Sequence, residues 1–160
     1  MRFFSAFLAL LLFSASAVAG EKLVYSVADY DAKRDAVKDL KTTLETAKKD
    51  NRTVLVIAGG SWCGWCRRMD EVLKNKPEVR DILSGGYVIM KANYSGSNEN
   101  PDFFAKYPDF GEFPHFFVLN ATGELQTAQN PADWEKLGGY EVDKLAAFFK
   151  KWAPKGSSAE

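Results

Sequence analysis

Apolar residues change their spacing several times along the chain, and each change marks an element. Thr53-Val54-Leu55-Val56-Ile57-Ala58 is an unbroken, mostly β-branched run, the pattern of a strand buried on both faces. Before it, Ala36, Val37, Leu40, Leu44 and Ala47 recur at helical intervals with Lys, Asp and Glu between them. That spacing predicts an amphipathic helix within 31–51 that packs on a sheet. Tyr87-Val88-Ile89-Met90-Lys91-Ala92 predicts a second central strand, and His115-Phe116-Phe117-Val118-Leu119 a third. The turn Asn120-Ala121-Thr122-Gly123 leads into an antiparallel partner over 124–129.

Helices are predicted from near Cys63 to 73–75, over 78–83 with Ser84-Gly85-Gly86 as its end, and over 101–107 with Pro101 in the first turn. A last helix falls within 138–152, where Val142, Leu145, Ala146, Phe148, Phe149 and Trp152 form an apolar stripe. The stretch 93–100, rich in Ser, Gly and Asn, reads as an exposed loop, and 130–137 as a linker carrying Trp134. In the leader 20–30, Leu23-Val24-Tyr25 fits either a short strand or a packing arm. Residues 154–160 read as a frayed tail. Strands and helices in this order give an α/β fold with a central mixed β-sheet flanked by α-helices.

Residues 1–19 stand apart: Arg2, an apolar run from Phe3 to Phe13, then small residues ending in Ala17-Val18-Ala19. This is the pattern of a cleaved secretory signal, too short in its apolar core to span a bilayer. The expectation is export, to a bacterial periplasm, with no stable membrane insertion after cleavage. The 160 residues, 46% hydrophobic, suffice for one core. With 21 basic and 21 acidic residues the formal charge is zero, which leaves no electrostatic case for nucleic acid or an anionic membrane surface.

Both cysteines of the chain lie in Trp62-Cys63-Gly64-Trp65-Cys66, at the predicted junction of strand and helix. Three residues apart on a helix, they share a face and can close a disulfide. Cys63 would meet the unpaired N–H groups of the first turn, which favour a thiolate. Exported proteins held by structural disulfides scatter several cysteines, and so small a loop stabilises least; a redox role is the better reading. A closed zinc site wants four ligands, and His115 is the only histidine. Copper(I) needs fewer soft ligands, so a binding module or copper chaperone stands as the alternative, with no metal assigned.

The motif resembles that of the thioredoxin superfamily, and the resemblance extends over roughly 31–153. Lys91-Ala92-Asn93 matches the end of the strand after the motif, and Phe113-Pro114 the family's cis-proline. It implies a thioredoxin-like fold and a thiol–disulfide oxidoreductase without a dissociable cofactor. Cys63 would be the nucleophile and Cys66 the resolving residue, with Trp62, Phe113 and Pro114 forming the substrate-binding edge. Trp65, where thioredoxin has proline, and Arg67 and His115 are candidates for tuning. The partners implied are protein disulfides or thiols and a further redox protein that resets the pair. Two positions depart from the family: Ile57 stands where thioredoxin has a buried aspartate that assists the resolving cysteine, and Gly59 replaces an aromatic residue. Resolution by Cys66 must then use water, another nearby group, or run slower.

Overall fold

The structure, a computed structural model, describes residues 22–155. The expected signal segment 1–19 lies outside the described residues. The elements run β1 (Tyr25–Val27), α1 (Ala36–Lys49), β2 (Thr53–Gly59), α2 (Gly64–Asn75), α3 (Pro77–Gly86), β3 (Tyr87–Asn93) and α4 (Pro101–Phe104). After them come β4 (His115–Leu119), β5 (Leu125–Gln129), a 3-10 turn (Pro131–Trp134), β6 (Glu135–Lys136), β7 (Gly139–Tyr140) and α5 (Val142–Trp152).

Five strands form one mixed sheet in the order β1-β3-β2-β4-β5. β1, β3 and β2 are parallel, and β4 and β5 each run antiparallel to their neighbour. Because side chains alternate along a strand, the continuous apolar run of β2 serves two cores. Leu55 and Ile57 join Met69 and Leu73 of α2, Val79 and Leu83 of α3 and Phe149 of α5. Val54, Val56 and Ala58 join Ala36 and Ala47 of α1 and Phe103 and Phe104 at α4. Each fully buried Val, Leu, Ile, Met or Phe side chain among them contributes roughly 1.5–3 kcal/mol. Among the described residues no helix is long and apolar enough to cross a membrane.

One open alternative is settled and four expectations change. The leader is part of the sheet: β1 lies at its edge, and Ile89 N–H donates to Val24 O at 2.8 Å. α3 continues through Gly85 and Gly86. A Cβ on Gly86 would stand 3.0 Å from Pro154 Cδ, so the glycine lets the C-terminal segment pack against the helix end. The 93–100 loop is internally bonded instead of merely exposed. Asn100, 9% exposed, accepts from Ala36 N–H at 3.0 Å and donates to Asn93 O at 2.8 Å, fastening the start of α1. The helix after Pro101 is shorter than expected, with regular α-helix over Pro101–Phe104. In place of a plain 130–137 linker there is the 3-10 turn and a β6–β7 hairpin.

Candidate active site

β2 ends at Gly59, and Gly60-Ser61-Trp62 carries the chain to α2. Cys63 is the N-cap of that helix, and its Sγ accepts the Cys66 backbone N–H at 3.0 Å. The two cysteines are joined in a disulfide with Cα atoms 5.2 Å apart. α2 has no acidic residue in its first turn, so no carboxylate there offsets the partial positive charge that its free N–H groups direct at the Cys63 sulfur. An N-cap sulfur held this way is stabilised as an anion once the disulfide opens.

Both cysteines are more enclosed than a freely reachable sulfur would be, at 4% exposure for Cys63 and 3% for Cys66. The rim around them is exposed: Ser61, Trp62, Gly64, Trp65, Arg67 and Arg68. Trp62 donates from Nε1 to Tyr94 O at 2.9 Å and meets Phe113 edge-on, ring centroids 5.4 Å apart. The Phe113–Pro114 peptide bond is cis. The structure thus gathers Trp62, the disulfide and the Phe113-Pro114 edge on one side of the molecule.

Arg67 donates to Ser61 O at 2.9 Å, bracing the turn before the disulfide. Trp65 stacks edge-on with Tyr140 at 5.4 Å, and the Arg68 guanidinium lies 5.6 Å over the Trp65 ring. Arg68 also donates to Gly138 O, so the β6–β7 hairpin is fastened to the start of α2, with Leu137 fully exposed at its tip. Sequence reasoning missed this hairpin; two-residue strands carry too little periodicity to read.

His115 is a correction. It pairs with Ala58 in the sheet and shares a face with Phe117, on the side of α1 and α4. Its ring packs between Phe110 (5.2 Å) and Phe117 (5.1 Å), and its Nδ1 has no hydrogen-bond partner among the described residues. Burial holds its pKa below the ordinary histidine value, against the opposing pull of Glu112 and Asp133. A neutral ring on the far face from α2 supplies no imidazolium to Cys63.

Ile57, 2% exposed, sits in the core, in register with Lys91 of β3. Lys91 is paired with Asp70 of α2 at 2.6 Å. Neither Asp70 nor Tyr30, both of which line a cavity with Cys66, was found by sequence reasoning. The spacing of Asp70, four residues after Cys66, was the available signal.

A family model described as thioredoxin-like matches residues 35–121, more than half of the chain. The chain belongs to the thioredoxin-like family. Solved structures agree on the fold of this family member. A disulphide isomerase from Xylella fastidiosa Temecula1 is similar with TM-score 0.65 at 22% identity, over 76% of this chain and 94% of that one. The oxidised C-terminal domain of DsbD from Neisseria meningitidis gives 0.58 at 18%, over 78% and 99%. A Thermus thermophilus thioredoxin gives 0.55 at 18%, over 81% and 85%. No curated protein sequence matches the chain.

Proposed function

We propose that the protein is an exported thiol–disulfide oxidoreductase that exchanges disulfides with protein substrates in a bacterial periplasm. The observation that carries this reading is the disulfide at the mouth of α2, with Cys63 as the N-cap. In the reduced protein, the Cys63 thiolate attacks a substrate disulfide. One substrate sulfur leaves as a thiolate and the other is held on Cys63. Cys66 then attacks the Cys63 sulfur, restores the internal disulfide and releases the second substrate thiolate. Run in reverse, the same steps oxidise a substrate dithiol, and the reduction potential decides the direction.

Trp62 and Phe113, with the backbone at Pro114, form the edge on which a substrate chain docks. Trp65 and Arg67, beside the pair, tune it. A second redox protein resets the pair after each cycle, either a membrane electron-transfer protein or a quinone-linked oxidase. The names of the similar structures, a disulphide isomerase and a DsbD domain, support this chemistry, and the signal pattern of 1–19 supports export.

Reduction of insulin disulfides in the presence of dithiothreitol tests the reading. The wild-type protein is expected to accelerate it, and Cys63→Ser is not. Absence of turnover in the wild type, together with stoichiometric copper(I) or zinc binding by the reduced protein, would instead make it a binding module.

A further inference from the structure

Opening the disulfide leaves Cys66 as a buried sulfur that must gain a proton, and closing it again requires that proton to leave. A thiolate in a site 3% exposed is costly without help. A cavity of about 240 Å³ reaches this sulfur, with Tyr30, Ser61, Arg67, Asp70 and Lys91 in its walls. That is room for several water molecules, and most of the lining side chains are polar.

Asp70 lies four residues beyond Cys66 and so projects from the same side of α2. Lys91 Nζ bonds its Oδ2 at 2.6 Å and Lys74 Nζ bonds the same oxygen at 3.0 Å, which leaves Oδ1 outside both ion pairs. Lys91, its side chain 5% exposed, also sits 5.4 Å over the Tyr30 ring and 5.7 Å over Tyr25. A buried ion pair is a poor stabiliser compared with apolar side chains of similar volume. Lining the cavity that serves Cys66, this one has a chemical use.

The other groups facing Asp70 are poorer proton acceptors. Arg67 does not give up its proton, and Lys74 and Lys91 are the ion-pair partners of Asp70. The Tyr30 hydroxyl is close to the sulfur: a Cβ built on Gly59 would stand 2.6 Å from Cys66 Sγ and 2.9 Å from Tyr30 Oη. Burial, and then the Asp70 charge, push the ionisation of Tyr30 far upward, and the same two causes act on Tyr25. Both hydroxyls remain protonated. Asp29 is exposed at the cavity mouth.

We propose that Asp70, anchored by Lys91, takes and returns the proton of Cys66, doing from α2 what the apolar side chain of Ile57 cannot do. The proposal rests on the exchange chemistry above. In the closing step the Cys66 thiol passes its proton through the cavity to the Asp70 carboxylate. The Cys66 thiolate attacks Cys63 Sγ, the Cys63–substrate bond breaks, and its electron pair leaves on the substrate sulfur. In the opening direction Asp70 returns the proton as Cys66 leaves.

The test uses the reduced full chain with Ellman's disulfide, whose thionitrobenzoate is released once when Cys63 attacks and again when Cys66 resolves. Asp70→Asn is expected to slow the second phase on the order of tenfold or more and to make it first order in hydroxide. The first phase should be unchanged; Asp70→Glu should restore the second, and Asp29→Asn should leave both alone. An unslowed second phase in Asp70→Asn, equal slowing of both phases, or slowing by Asp29→Asn would overturn the assignment. If Asp70→Asn does not fold, the double variant Asp70→Asn/Lys91→Met, which leaves no buried charge unpaired, carries the same expectation. A wild-type protein that releases nothing in either phase would sink the exchange reading itself.

Discussion

At Gly59 a missing methyl group gives the resolving sulfur its surroundings. The strand can bring its backbone against Cys66 Sγ and the Tyr30 hydroxyl only because no Cβ intervenes. Gly59→Ala is therefore expected to destabilise the oxidised protein by about 1–3 kcal/mol, the usual cost of overpacking. A urea unfolding midpoint equal to that of wild type would contradict this. The Cys63–Cys66 disulfide was legible in the sequence from residue type and spacing, whereas the cis bond at Phe113–Pro114 was expected only through the resemblance to thioredoxin. Tyr30, Asp70 and Lys91 were not legible, since they come from the β1–α1 connection, α2 and β3, which meet only after folding. Lys91 was the nearest to visible, as the single charge in an otherwise apolar strand, where a buried ammonium requires a partner.

Elements with strong periodicity matched their predicted positions. α1 begins at Ala36, the first residue of the apolar pattern, where Asp35 caps it by accepting from Val37 and Lys38 N–H groups at 3.0 and 3.1 Å. The leader could not be assigned from three residues; what makes it a strand is the open edge of β3 and the hydrogen bond between Ser26 and Thr43 of α1 at 2.7 Å. Glycines misled the reading of α3, whose last turn is secured from outside. Arg52 donates to Ser84 O at 2.6 Å and to Tyr87 O at 3.2 Å. The asparagines of the 93–100 loop were read as solvent-facing turn formers, but they serve as hydrogen-bond clamps. Asn98 donates to Ala32 O and Arg34 O at 2.9 and 3.0 Å.

At the scale of the whole molecule, one sheet separates two apolar clusters, and the only histidine sits among aromatic rings on the side away from α2. This has a consequence for stability. His115 is held below its ordinary pKa when folded, whereas the unfolded chain titrates near the usual value of about 6.5. As pH falls through that value the unfolded state binds the proton first, so stability decreases with acidification and rises with pH. Urea midpoints should be lower at pH 5.5 than at pH 7.5, and His115→Leu should shrink the difference; an equal difference in that variant would contradict the assignment.

The proposed chemistry needs an ordered pair of sulfurs, one that attacks and one that releases. Mass spectrometry after mixing reduced Cys66→Ser and reduced Cys63→Ser, separately, with a disulfide-containing unfolded protein addresses this directly. Cys66→Ser should accumulate a stable mixed disulfide through Cys63, and Cys63→Ser should form little or none. Adducts of equal yield on both variants, or on neither, would contradict it.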